Sequence, residues 1–323
     1  MAMSKSAQAA YKKAVKAKKK KKRGHWLLIQ KGDSFKEIVS KIITQIACVV
    51  LAGCILILGN EARLMLANFR LNSSLQTIVK DFSTVVSDAV GGDKLTPAAE
   101  KLLQLNPDTV GWVVIDGTNV NLPVVQRKTP DGNEYYLTRS FDGSSNKAGT
   151  IFLDYRATLN AKERSENLVL YGHNQRDKSM FGDLAQYKHN IEFYKAHPTV
   201  TFCSNYRTDV YKIFAMFVTP VEPYQTSDGF IFDYHNYINF DDNSDYDTFY
   251  NLAMERTQII TGVDIKYGDE FLTLSTCSNE FEPSRFVVIA RKVRKGEDAS
   301  VDTSAAYVNP NAKEPEWDVI YGR

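Results

Sequence analysis

Three residues in this chain are of the types that acyl transfer requires, and each stands at the edge of its own apolar run. Cys277 closes Phe271-Leu272-Thr273-Leu274-Ser275-Thr276-Cys277, which has the length and composition of a buried strand carrying a thiol at its C-terminal tip. Eight residues later Arg285 opens a second apolar run, Phe286-Val287-Val288-Ile289-Ala290. His173 follows a third, Leu168-Val169-Leu170-Tyr171-Gly172. A thiolate attacks carbonyl carbon, an imidazole moves protons near neutral pH, and a guanidinium faces the negative charge that develops on oxygen.

Taken singly, each residue has a plainer reading. A cysteine at a strand end is commonly structural, His173 fits a turn after Tyr171-Gly172, and Arg285 could end a surface ion pair with Glu280 or Glu282. The combination favours chemistry, because His189, His197 and His235 lie in polar segments and only His173 terminates a continuous apolar run. No Cys-x-x-Cys or His-x-x-x-His spacing supports a metal site, and none is expected. Chain order excludes a papain-like arrangement: the histidine precedes the cysteine by 104 residues, and no glycine-rich turn into a helix surrounds the thiol.

The elements that would position this trio change character along the chain. Leu71, Leu75, Ile78, Phe82 and Val85 recur at helical spacing, and Gly91-Gly92 ends that helix. A second helix starts with Thr96 as N-cap and Pro97 at its first position, then runs through Leu102 and Leu103 towards Pro107. From Val110 the period becomes that of strands. Residues 112–115, 120–125, 149–153, 167–171, 199–202, 210–218, 271–276 and 286–293 give eight candidates, separated by turns such as Asp116-Gly117, Asp131-Gly132 and Asp142-Gly143. Eight short strands of mixed spacing predict a mainly β fold, a closed or nearly closed barrel. An insertion from Pro223 to Asp264, with a helix over about 246–260, precedes the cysteine strand and would wall a substrate groove. Residues 297–314 read as a loose polar tail.

Charge divides the chain. Of its 40 basic residues, ten lie in residues 1–23, which hold no acid; the rest carries 30 basic against 38 acidic residues, a balance of −8. A basic arm on an acidic body argues against a nucleic-acid-binding fold. His25 to Lys41 is expected to form a short juxtamembrane helix with Trp26 at the interface. Ile42 to Leu58 is apolar apart from Thr44 and Gln45, about the minimum for one membrane span, and Gly59-Asn60-Glu61 is expected to end it. Positive charge on its N-terminal side places residues 1–40 in the cytoplasm and the body outside. Leu51-Ala52-Gly53-Cys54 looks like a lipobox, but the apolar run continues past the cysteine, which favours an uncleaved anchor. Cys48 and Cys54 are then span residues, and Cys203, in Val200-Thr201-Phe202-Cys203, reads as a small core residue.

Tyr171-Gly172-His173-Asn174, Thr273-Leu274-Ser275-Thr276-Cys277 and Arg285 together resemble the signature of the sortases, membrane-anchored cysteine transpeptidases of Gram-positive bacteria. Residues 111–118, Leu122-Pro123-Val124-Val125-Gln126, Tyr136-Leu137, residues 149–154, Ser179-Met180-Phe181-Gly182 and the helical insertion look like class B. The likeness runs from about Leu71 to Val293.

That resemblance implies an eight-stranded sortase-type barrel over 108–295 with a helical pair over 61–107, after a cytoplasmic segment over 1–40 and a signal anchor over 41–60. Residues 296–323 form a polar tail. It implies no cofactor. The substrates would be secreted proteins bearing a C-terminal sorting signal, and the acceptor an amine of cell-wall peptide or pilin. Cys277 would form a thioester, His173 would shuttle the proton, and Arg285 would hold the substrate backbone and oxyanion. Tyr171, Ser275, Ser278, Asn133 and Leu137 would contact the signal. Two rivals stay open: a cysteine hydrolase releasing product to water, and a silent membrane-tethered peptide-binding module. Ordinary thiol and imidazole values put the thiolate–imidazolium pair at only about 1% of molecules near neutrality, which predicts a slow enzyme.

Overall fold

The computed structural model describes residues 6, 8–13, 27–79, 94–130 and 132–322. Most of the basic arm, Trp26, Phe82, Val85, Gly91-Gly92 and Asp131 lie outside these residues. The chain divides into two units, Met1–Ala67 and Asn68–Arg323.

A single helix, α1 (Phe35–Val79), replaces the two helices expected on either side of Gly59. One glycine costs a helix only about 1 kcal/mol, and Glu61-Ala62-Arg63-Leu64-Met65-Leu66 are strong helix formers, so nothing there stops it. The start also differs from expectation, because residues 27–34 are not helical. The Ser34 backbone N–H donates to Glu37 Oε2 at 2.8 Å, and the Glu37 N–H donates to Ser34 Oγ, a capping box that fixes the first turn. α1 is the one helix among the described residues long and apolar enough to cross a membrane.

In the second unit, α2 (Pro97–Leu105) begins as its sequence predicts, with Thr96 Oγ1 accepting from the Ala99 N–H at 3.2 Å. Leu75 and Val79 of α1 and Ala98, Ala99 and Leu102 of α2 are buried in one cluster with Trp112, Val125, Phe152 and Cys203. Cys203 is thus the core residue its neighbours imply, and burial pushes its thiol up.

Ten strands follow among the described residues: β1 (Thr109–Val114), β2 (Asn121–Val125), β3 (Ile151–Leu153), β4 (Asn167–Tyr171), β5 (Thr199–Ser204), β6 (Thr208–Pro220), β7 (Ile259–Ile260), β8 (Phe271–Cys277), β9 (Ser284–Lys292) and β10 (Tyr307–Val308). Eight close a barrel in the order β1-β2-β3-β4-β8-β9-β6-β5. The eight strands expected from the sequence are these eight, with ends shifted by up to three residues. Between β4 and β5 lies α3 (Ile191–Ala196).

The β4–β8 pair is parallel and matches Asn167 to Phe271 through Tyr171 to Ser275. A polar pair inside this apolar sheet holds the register: Thr273 Oγ1, fully buried, donates to Asn167 Oδ1 at 2.9 Å, and Asn167 Nδ2 reaches the Tyr237 carbonyl. A slip by one residue would leave those groups unpaired and turn the thiol's strand inside out.

Two expectations fail at the insertion and the tail. The inserted helix, α4, spans Asn243–Arg256 rather than 246–260, because Asp242 caps it by accepting from the Ser244 and Asp245 N–H groups. Ile259 and Ile260, both β-branched, leave the helix to form β7. Residues 297–314 are not a loose tail: β10 pairs with β7, and α5 (Trp317–Tyr321) follows it.

The tail also stabilises the barrel wall. Arg291 of β9 is 1% exposed, and its guanidinium donates to both oxygens of Glu297 at 2.6 and 2.7 Å. Hydrogen bonds from Arg291 hold the Glu297 carboxyl well below its ordinary 4.5 against a smaller opposing effect of burial, with Lys212 assisting. Glu297→Ala is expected to cost about 3 kcal/mol, since a buried charge loses its main partner, and to lower the melting midpoint by roughly 6–12 °C. A depressed carboxyl contributes stability above its unfolded value and loses it as pH falls through the folded one. The gap between wild type and variant in urea titrations should therefore be full at pH 7 and shrink below about pH 4.

Candidate active site

Three adjacent strands deliver the trio to one end of the barrel. Cys277, at the last position of β8, pairs in register with Arg285 at the second position of β9. On the other side of β8 the alignment with β4 runs on past its last formal pair. The Gly172 N–H donates to the Ser275 carbonyl at 3.1 Å, Thr276 Oγ1 donates to the Gly172 carbonyl at 2.7 Å, and Asn174 Nδ2 donates to the Cys277 carbonyl at 2.9 Å. His173 is thereby held between two residues tied to the cysteine strand. Gly172 must lack a side chain for this to happen, since a Cβ there would collide with Ile151 and Phe181.

Each functional group is oriented differently. His173 Nε2 lies 2.7 Å from the Leu137 carbonyl, so in the neutral ring Nε2 carries the hydrogen and Nδ1 is left to accept or give a proton. Cys277 is exposed, whereas the rest of β8 is buried. Arg285 Nη1 donates to the Ser284 carbonyl at 3.0 Å. Among the described residues no carboxylate pairs with Arg285, which removes the surface ion-pair reading; Glu280 pairs instead with Lys188 at 2.5 Å. A permanent cation with no carboxylate partner, beside an exposed thiol, suits stabilisation of charge that appears only during reaction.

The residues expected along the groove are placed as follows. Tyr171 Oη donates to Asp154 Oδ2 at 2.9 Å, and its ring lies against Phe152. Asp154 is fully buried; burial alone would raise its carboxyl, but hydrogen bonds from Arg156 and Tyr171 hold it below the ordinary range. Ser275 and Ser278 are buried, with Ser275 Oγ 2.6 Å from Tyr234 Oη and Ser278 Oγ accepting from Lys188 Nζ at 3.0 Å. Asn133 Oδ1 accepts from the Tyr155 N–H at 2.7 Å, and Leu137 presents its carbonyl to His173.

Several contributors carry no local signal in the sequence. Tyr234 comes from the insertion 41 residues before Ser275, and burial pushes its hydroxyl up to about 12 while the hydrogen bond with Ser275 and then the charge of Arg285 pull the other way. His235 beside it is lowered by burial, with Arg156 and Arg285 adding to the effect. Lys188 and Asn174 reach the cysteine strand and its loop from the segment after β4. Asn174 belongs to the Tyr171-Gly172-His173-Asn174 run, and Tyr234 and His235 to the insertion expected to wall the groove, but nothing local singles out Tyr234, His235 or Lys188.

The model of the Sortase domain family matches residues 113–293, more than half of the chain, a range that contains His173, Cys277 and Arg285. The chain belongs to the sortase family. Relatives named sortase B are among those it resembles. Sortase B of Listeria monocytogenes is 32% identical over 231 residues, covering 69% of this chain and 87% of that protein. A solved Staphylococcus aureus sortase B–substrate complex superposes with a TM-score of 0.58 at 28% identity, covering 72% of this chain and 98% of the other. A sortase B complexed with triglycine gives a TM-score of 0.58 at 27% identity, over 72% and 98%. This sortase is a class B transpeptidase, and the eight-stranded barrel is the fold those structures share with it.

Proposed function

We propose that this sortase cleaves a C-terminal sorting signal of a secreted protein, holds the new acyl end as a thioester on Cys277, and passes it to an amine of cell-wall peptide or pilin. The observation that carries the reading is the register of β4, β8 and β9, in which an imidazole, a thiol and a guanidinium with no carboxylate partner among the described residues follow one another across three neighbouring strand ends. The Cys277 thiolate forms an S–C bond to the scissile carbonyl while Arg285 faces the oxyanion. As the tetrahedral species collapses, the C–N bond breaks and the His173 imidazolium gives its proton to the leaving amine. The acceptor amine then attacks the thioester, His173 takes the proton it loses, and the thiolate departs.

Tyr171, Asn133, Leu137, Ser275 and Ser278 are proposed to shape the groove, mostly by fixing its walls. The substrate complex solved for the Staphylococcus aureus relative supports a peptide signal, and the triglycine complex supports an amine acceptor. Class B sortases are associated with Asn-Pro-x-Thr-type signals, and candidate peptides are built on that pattern and its variants. α1 would anchor the enzyme with residues 1–40 in the cytoplasm and the barrel outside, a reading supported by the ten basic residues before it.

The test is the fate of the acyl group. Full-length enzyme incubated with candidate signal peptides and triglycine is expected to give an amide-linked product by mass spectrometry, with cleavage slower when the amine is omitted. Equal cleavage with and without amine, and no new amide, would assign a hydrolase instead.

A further inference from the structure

The loop between β8 and β9, residues 278–283, lies on the shortest covalent route between nucleophile and cation, so its conformation sets how the two face each other. It is pinned from four directions. Across its base the Ser278 N–H donates to the Ser284 carbonyl at 3.1 Å. Lys188 grips Ser278 and Glu280, and Gln225 Nε2 donates to the Pro283 carbonyl at 2.8 Å. The fourth contact comes from the far C-terminus: the Trp317 ring meets Phe281 edge-on at 5.7 Å, and Tyr321 Oη donates to the Glu280 carbonyl at 2.6 Å.

That C-terminal segment is anchored before it arrives. Tyr307 and Val308 pair with Ile260 and Ile259, the Asn309 N–H donates to the Gln258 carbonyl, and the Lys313 N–H donates to the Glu255 carbonyl at the end of α4. Glu316 then accepts from the Ser227 N–H in the insertion at 3.1 Å. Residues 307–321 therefore run as a strap from the helical insertion to the loop between nucleophile and cation. Trp317 and Tyr321 stack with each other, at 13° between ring planes, so the strap meets the loop as one stiff aromatic unit.

We propose that this strap is a positioning element of the active site, and that Trp317 and Tyr321 hold the 278–283 loop so that Arg285 faces Cys277 productively. The proposal rests on the transpeptidase reading for its kinetic consequence, and on the strap's own contacts for its geometry. Neither residue touches the reacting groups; each acts through the loop. Misplacing a catalytic group by about 1 Å can cost on the order of 100-fold in rate, so a loop released on one of four sides should lose about tenfold.

The experiment uses the full-length chain and compares Trp317→Ala/Tyr321→Ala with wild type, Trp317→Phe and Tyr321→Phe. Two readouts are taken: transpeptidation, and the rate of iodoacetamide alkylation followed on the peptide that carries Cys277. Rates are normalised by the folded fraction read from circular dichroism and the thermal unfolding transition, which removes any loss through misfolding. The double variant is expected to show kcat lower by about tenfold with KM within twofold, and alkylation of Cys277 faster by about threefold, because a loop freed on that side opens more often and lets the reagent reach the sulfur. Trp317→Phe, which keeps an aromatic edge, should recover most of the rate. A double variant with wild-type kcat per site and wild-type alkylation would overturn the strap's role. Should wild type make no amide product at all, the transpeptidase reading falls, and the alkylation rates still decide whether the strap acts on Cys277.

Discussion

Cys277→Ala is expected to lower kcat/KM for signal-peptide cleavage by about 10⁴-fold or more, equivalent to about 5.4 kcal/mol of transition-state stabilisation. The size follows from what replaces the sulfur. No other nucleophile stands at that position, since Ser275 and Ser278 on either side are buried and engaged with Tyr234 and Lys188. Water entering the space would need a base to activate it, and would meet an amide far less reactive than the thioester. The variant should still bind the signal peptide, because no groove residue changes. Intact-mass measurement of wild type given peptide without amine should reveal the acyl adduct, mapped to the peptide containing Cys277. An adduct on Cys203 would contradict the assignment, though that residue is buried among Trp112, Val125 and Phe152. Retained turnover in Cys277→Ala would remove the covalent mechanism altogether.

The features legible in the sequence are those decided by local chemistry. Most barrel strands carry an apolar stretch, such as Phe286-Val287-Val288-Ile289-Ala290 in β9, and the α2 start is written in Thr96-Pro97. The catalytic trio was visible because each member breaks an apolar run at its edge, where burial gives way to solvent. Features that failed to show depend on partners far away in the chain. Two-residue strands such as β7 and β10 have no periodicity, and they pair across 47 residues. The 296–323 segment is polar because its attachment uses ion pairs, backbone hydrogen bonds and a few aromatic rings rather than an apolar face. That composition is shared with loose tails.

Gly59 shows the opposite error. A glycine followed by Asn60-Glu61 marks the end of the apolar run, yet the end of apolarity is not the end of a helix, and only a proline or a helix-capping turn would have stopped α1 there. Composition identified the candidate span; the helix boundary needed backbone information that composition lacks.

Arg285→Ala should cost about 10²–10³-fold in kcat, the range found when one oxyanion-stabilising donor is removed, or about 2.7–4 kcal/mol. KM should change less, because the lost interaction is strongest when charge appears on the substrate oxygen. The site supports this division: Arg285 shares no carboxylate among the described residues, so its charge is not already spent on a ground-state partner. Arg285→Lys keeps the charge and loses the planar fork, and should fall between wild type and alanine.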